Sequence, residues 1–342
     1  LLANPAFMDA MSAKRTEMAG EDENVSAWML LADALLPDSK DRLLTLVEKH
    51  AEILLNNDAF MDAMSAKRTH RAGKNENMSA WALLAKCGKP EVKAHLAAFI
   101  KTHAEKLLFN RGFYLAMCAK RTHQARIDEN LSAWALLAQG NPSAQAELLD
   151  LIDTYSDELL LNPEFFEAMS AKRTHRARKN ENMSAWATLA FGGLDTQARL
   201  LDFIWYHAAK TLLANPFMHL FIDAMSAKRT HQAGIYENMS AWTALAFGEL
   251  KTRANFVAFI EAYAEILLDN PAFMDAMSAK RTDKAGKDEN MSAWFALACA
   301  GPDARARLAA FINTHAEKLL ANPAFMDAMS AKRTDKAGPS EN

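Results

Sequence analysis

Apolar and polar residues recur along this chain with a helical period, and the pattern itself repeats. In one copy Leu308, Phe311, Ile312, His315 and Leu319 fall at helical spacing and form a single apolar stripe. No stretch keeps the strict two-residue alternation of a strand, so an all-α chain is expected. The larger period is marked by AMSAKRT around Lys14, Lys67, Lys172, Lys228, Lys280 and Lys332, and by AMCAKRT around Lys120, at spacings of 53, 53, 52, 56, 52 and 52 residues. A tryptophan stands 14 residues after each of the first six lysines: Trp28, Trp81, Trp134, Trp186, Trp242 and Trp294. The longer interval carries three extra residues within the segment Asn215 to Phe221, close to one helical turn.

Each unit is expected to hold three helices. Helix A starts at Asn-Pro, as at Asn4-Pro5, Asn162-Pro163, Asn215-Pro216, Asn270-Pro271 and Asn322-Pro323, because asparagine caps well and proline suits the first helical position. It is expected to run through Phe-Met-Asp-Ala-Met to the Lys-Arg-Thr, where a polar stretch such as Arg71 to Asn75 ends it. Helix B is short and starts at Glu-Asn, with the asparagine as cap. Helix C is longer, amphipathic and variable between copies. Recurrent Trp, Phe and Met are read as a continuous buried seam. The expected fold is a right-handed α-solenoid of about six three-helix repeats of 52–56 residues, one array over 1–342, with units near 4–56, 57–109, 110–161, 162–214, 215–269 and 270–321 and a partial unit 322–342.

Composition changes this picture little. Half the residues are hydrophobic, 24% are charged and the net charge is −3, so no global basic field recruits nucleic acid or membrane. No apolar run is long enough for a membrane span. Cys87, Cys118 and Cys299 form no paired framework and read as small semi-buried thiols in a reducing compartment, cytoplasmic or that of a host. No cofactor or metal site is expected. Glycine-rich phosphate loops, nucleophile elbows and zinc-binding helices are absent from the sequence, and every conspicuous residue recurs six or seven times. An active site is normally singular, so the chain is read as non-enzymatic.

The information lies in the polar residues. Ala-Lys-Arg-Thr is identical in all seven copies, and Glu-Asn follows each time, while helix C drifts. At about 100° per residue, Phe7, Met11 and Met18 share a face of an extended helix A, and Lys14 and Arg15 fall on or beside it. The pairs Lys14-Arg15, Lys67-Arg68, Lys120-Arg121, Lys172-Arg173, Lys228-Arg229, Lys280-Arg281 and Lys332-Arg333 then face neighbouring helices. One reading is a lock in which the glutamate of the same unit holds the arginine at the A–B corner. The other is a row of binding cations, since each unit retains two cations against one retained carboxylate. The dipeptides after the tetrad vary: Glu17-Met18, His70-Arg71, His123-Gln124, His175-Arg176, His231-Gln232, Asp283-Lys284 and Asp335-Lys336. They read either as drifting loop residues or as specificity positions on a constant scaffold. His50, His103, His207 and His315 exchange with Tyr155 and Tyr263 on helix C, as core or groove residues do.

With these units the whole chain resembles helical-repeat proteins of the HEAT, armadillo and tetratricopeptide class in architecture. That resemblance implies a binding scaffold with a long groove. The expected function is a scaffold that binds a protein or peptide partner along one face. The alternatives are a nucleic-acid binder using the Lys-Arg row and a structural spacer. The self-similarity and the Ala, Met and Trp content suggest a bacterial repeat protein. Neither terminus shows a polar capping unit, so the two ends are expected to stack on one another.

Overall fold

The computed structural model describes residues 1–34, 36–207, 218–332 and 334. Among them every regular element is helical and no strand occurs. They group into two compact units, Leu1–Ala171 and Lys172–Asn342. Within each unit helix A packs on helix A of the next repeat, B on B and C on C, which is α-solenoid organisation.

The second repeat shows how the sequence makes the unit. Asn57 caps helix A (Asp58–Ser65) by accepting from the Phe60 amide at 2.8 Å. Asn4, Asn110, Asn270 and Asn322 do the same in their repeats, and Asn162 accepts from the Glu164 amide at 3.1 Å. The expected cap at Asn215 lies outside the described residues. Helix A then stops four residues earlier than the sequence suggested. Ala66 turns into extended backbone, and Arg68 exchanges two backbone hydrogen bonds with the segment before helix B: its amide to the Met78 carbonyl at 3.1 Å, and its carbonyl from the Asn77 amide at 2.9 Å. That pairing outcompetes the next helical turn. Consequently the wheel that placed Lys and Arg on the apolar face of helix A does not apply; their directions are set by an extended strand-like pair.

The polar stretch read as the end of helix A is itself a 3-10 helix, His70–Asn75. The cap of helix B (Ala80–Ala85) is Ser79, not the asparagine, with the Ala82 amide 3.2 Å from its Oγ. Asn77 instead takes the left-handed conformation at φ 62°, as do Asn24, Asn130, Asn182, Asn238 and Asn290. Asparagine tolerates that region far better than most residues. Helix C is broken once. It runs Pro90–Thr102, then bends at His103 (φ −113°, ψ 24°) into a short last helix, Ala104–Leu107. His50, His103, Tyr155, Tyr263 and His315 occupy that bend, and where a phenylalanine stands one turn back the ring packs on it: Phe99–His103 4.8 Å, Phe259–Tyr263 5.1 Å, Phe311–His315 4.9 Å.

The buried seam is the Trp–Phe contact between repeats. Each of the six tryptophans of the repeat motif is at most 1% exposed and meets the helix A phenylalanine of the next repeat edge-on: Trp28–Phe60 5.1 Å, Trp81–Phe113 5.2 Å and Trp134–Phe165 5.4 Å in the first unit. In the second unit the pairs are Trp186–Phe221 5.4 Å, Trp242–Phe273 5.5 Å and Trp294–Phe325 5.4 Å. The serine of the AMSAKRT motif belongs to this seam as well: Trp28 donates to Ser12 at 3.2 Å and Trp242 to Ser226 at 3.0 Å. Cys118 holds the corresponding place beside Trp134, and burial pushes its thiol up to about 12.

Candidate functional site

The invariant polar residues form a joint, and its partners lie in neighbouring repeats. The lysine reaches forward to the helix A carboxylate of the next repeat: Lys14–Asp62 2.6 Å, Lys120–Glu167 3.4 Å, Lys172–Asp223 2.6 Å, Lys228–Asp275 2.7 Å and Lys280–Asp327 2.7 Å. Where helix A carries Leu115 in place of an acid, Lys67 has no ion pair among the described residues. This is the second carboxylate that the count of two cations against one overlooked. The signal was present, because an acid recurs at that position in Asp9, Asp62, Glu167, Asp223, Asp275 and Asp327.

The arginine is interior. Arg68, Arg121, Arg173, Arg229 and Arg281 are 3–8% exposed. Arg68 reaches back to Asp33 at 2.9 Å and Asp22 at 3.4 Å of the previous repeat. Arg121 binds Asp128 of its own repeat at 2.6 Å and the Lys74 carbonyl of the previous one. Arg281 does likewise with Asp288 at 2.9 Å and the Ile235 carbonyl at 2.8 Å, and lies 5.1 Å over the Phe247 ring. Arg229 donates to the Lys179 carbonyl at 2.6 Å and sits between Phe191 and Tyr236 at 4.9 and 5.0 Å. Burial pushes the Arg229 guanidinium below its ordinary value. The glutamate expected to hold the arginine of its own unit accepts instead from the threonine of the next: Thr69–Glu23 3.3 Å, Thr122–Glu76 2.6 Å, Thr230–Glu181 3.0 Å and Thr334–Glu289 3.4 Å. The asparagine side chain donates to the next repeat's lysine carbonyl, as in Asn77 to Lys120 at 3.1 Å and Asn238 to Lys280 at 3.1 Å. Lysine, arginine, threonine, glutamate and asparagine thus make contacts across most of these joints, while Lys67 has no ion pair among the described residues and the side chains of the paired lysines stay 34–42% exposed. Lys332 keeps its backbone contact with Asn290 at 3.2 Å, and Arg333 lies outside the described residues.

The variable dipeptides line the outer side of the 3-10 helices, which pack side by side within each unit. Their second members act as struts where they are basic. Arg71 bonds the Glu17 carbonyl and lies 3.6 Å from Glu23, and Lys284 reaches the His231 carbonyl at 3.1 Å and Glu237 at 2.7 Å. His70, His123, His175, His231 and Asp283 are exposed; Gln124 is half-buried, while Arg176 and Gln232 are exposed. Asp335 and Lys336 lie outside the described residues. Two further cations were not singled out from the sequence. Arg126 and Arg178 occupy the left-handed turn of the 3-10 segment at φ 55° and 53°, where Gly20, Gly73, Gly234 and Gly286 stand in the other repeats. The signal that could have found them was the substitution of glycine itself.

The C helices offer a different surface. In the second unit a groove of about 320 Å³ is lined by Leu201, Asp202, Trp205, Asn255, Ala258 and Arg307, contributed by three successive C helices (Leu194–His207, Leu250–Ala262 and Pro302–Thr314). Trp205 is 40% exposed, with its ring 6.3 Å from Phe259 and 6.5 Å from Tyr263. Among the described residues no cluster of three or more His, Cys, Asp or Glu could hold a metal ion, and no helix is long and apolar enough to cross a membrane. Cys87 and Cys118 are buried, whereas Cys299 is exposed rather than semi-buried.

No family model matches the sequence, and no curated protein does. Among solved structures, the chain is similar to a Puf4 double mutant bound to the Cox17 RNA 3′ UTR recognition sequence, with 12% identity, 95% of this chain and 86% of that chain covered, and a TM-score of 0.35. A second is PUF-8 in complex with PBE-RNA, with 10% identity, coverage of 95% and 91%, and a TM-score of 0.28.

Proposed function

We propose that the chain is a non-enzymatic helical-repeat scaffold that binds an extended protein segment along the exposed side of its C helices. The observation that carries this reading is the groove around Trp205. A half-exposed indole on an apolar floor, flanked by the exposed Asp202 and Arg307, has the composition of a side-chain pocket with polar groups that fix orientation. Sequence variation supports it too. The corner residues are constant because they join repeats, and helix C is where the copies differ, which is where specificity resides in an array of otherwise equal units. Panning random peptide libraries on the 342-residue chain tests the proposal. Enriched peptides are expected to lose about tenfold or more in affinity against Trp205→Ala, the usual loss at an aromatic anchor. Failure to enrich any sequence, or binding indifferent to Trp205, contradicts it.

A second reading rests on Arg126 and Arg178. An arginine in a left-handed turn costs about 1–2 kcal/mol over glycine, and both are exposed. Beside Arg178 stand His175 and Lys179, also exposed, so this corner presents positive charge to a phosphate backbone. Salt-sensitive retention on mixed RNA oligonucleotides that is lost in Arg178→Gly/Lys179→Ala is the expected result of that reading. Passage through the column at low salt sinks it.

A further inference from the structure

The residue seven positions after the arginine of the tetrad changes from repeat to repeat: Asp22, Asn75, Asp128, Asn180, Tyr236 and Asp288. Where it is aspartate, its carboxylate accepts from the guanidinium Nη1: Arg15–Asp22 2.5 Å, Arg121–Asp128 2.6 Å and Arg281–Asp288 2.9 Å. Arg68, followed by Asn75, takes a carboxylate from the preceding repeat, with Nη1 2.9 Å from Asp33. Arg229 has neither source. Tyr236 stands seven residues on, and Phe191 holds the place of Asp33, five residues after the tryptophan. The guanidinium lies 4.9 Å from the Phe191 ring and 5.0 Å from the Tyr236 ring, and its Nη2 donates to the Lys179 carbonyl at 2.6 Å. Among the described residues no carboxylate is within ion-pair distance of Arg229, and its Nη1 has no hydrogen-bond partner. A cation that is 8% exposed and lacks a counterion is costly, and two ring faces offset only part of that cost.

The position facing Nη1 is reachable from outside. Of the Arg229 guanidinium nitrogens only Nε is enclosed without a hydrogen-bond partner, so the unpartnered Nη1 meets solvent. The aspartates that occupy the same position at Arg121 and Arg281 have side chains 23% and 28% exposed. We propose that the Arg229 joint is a binding site for a carboxylate, supplied by an acidic side chain of a protein partner that lies on Nη1 as the aspartate does in other repeats. A carboxylate is the ligand because that group already occupies this nitrogen at the equivalent joints, at 2.6 and 2.9 Å. A protein segment is its source because the rim is apolar as well as basic. Ile235 and Tyr236 are 54% and 42% exposed, and they suit the apolar neighbours of an acidic residue better than a sugar–phosphate backbone. The exposed Lys179 adds a second positive charge beside the site. The site stands at the A–B corner and does not depend on the groove around Trp205.

Fluorescence anisotropy with a short labelled peptide of alternating glutamate and leucine, beside its glutamine counterpart, tests this on the full chain, with circular dichroism melts to confirm folding. The glutamate peptide is expected to bind, and the glutamine peptide to bind roughly tenfold more weakly, because the charge-assisted bond is lost. Tyr236→Asp is expected to close the site with a carboxylate of its own. That variant should melt at a higher temperature than the parent and bind the glutamate peptide roughly tenfold more weakly. Should Tyr236→Asp fold poorly, Phe191→Asp supplies the carboxylate from the preceding repeat, as Asp33 does for Arg68. The proposal is overturned if neither peptide binds the parent, if both bind equally, or if the folded aspartate variant binds as tightly as the parent. It is equally overturned if inorganic phosphate or a mixed RNA oligonucleotide binds in the peptide's stead and is lost in Tyr236→Asp, since the site would then take phosphate.

Discussion

Lys120 and Arg121 are adjacent in sequence and opposite in energetic weight. The Lys120 side chain is 42% exposed and its partner Glu167 54%, so their ion pair is a screened surface contact. Lys120→Ala is expected to cost about 0.2–1 kcal/mol in chemical denaturation. The Arg121 side chain is 3% exposed and bonds both Asp128 and the preceding repeat's Lys74 carbonyl. Arg121→Ala leaves those acceptors without their donor, and a loss of about 2–4 kcal/mol is expected in the same experiment. Equal effects would contradict the assignment of separate roles. Cysteine reactivity provides an independent check. Desolvation raises the Cys118 thiol to about 12 from its ordinary value of 9.0, so thiolate is scarce in the fold at neutral pH. The folded pKa lies above the unfolded one, so Cys118 costs the fold nothing near neutrality and weakens it as pH rises from the ordinary value of 9.0 towards the folded value. Alkylation at mildly alkaline pH should label the exposed Cys299 first and Cys118 only with unfolding; rapid labelling of Cys118 would refute its placement.

Within one repeat, the constant elements serve the joint to the next. Leu115 tests this, because it stands where the other repeats supply an acid to the preceding lysine. A double-mutant cycle with Leu115→Asp and Lys67→Ala should reveal a new favourable coupling of about 0.2–1 kcal/mol, and zero coupling would mean the register is misread. Likewise Arg178→Gly should stabilise the second unit by up to about 1 kcal/mol in a thermal melt, since φ 53° suits glycine; destabilisation would show that the arginine side chain contributes more than its backbone costs. The helical period, the asparagine caps and the tryptophan seam were legible in the sequence because they are local or repeat once per unit. Three features were not. The early stop of helix A depends on the reciprocal bonds of Arg68 with Asn77 and Met78, which no propensity encodes. The bend at His103 interrupts an apolar stripe that stays continuous in sequence. Apart from the aspartate seven residues on that binds Arg15, Arg121 and Arg281, the side-chain partners of the tetrad lie 35 to 51 residues away, so a local pairing of arginine with the glutamate of its own unit is not what these joints use.

For the whole molecule the consequence is a division of labour. Constant corners propagate the stack, and variable C helices present a surface. The central proposal is that the tetrad serves to join repeats rather than to contact a partner. The most direct test is denaturant unfolding of Arg68→Ala/Arg121→Ala beside the parent chain, followed by secondary structure, with RNA retention measured on the same samples. The account predicts a transition shifted to markedly lower denaturant and broadened as repeats uncouple, with any retention of the folded protein unchanged. An unshifted transition accompanied by loss of salt-sensitive RNA binding would contradict it.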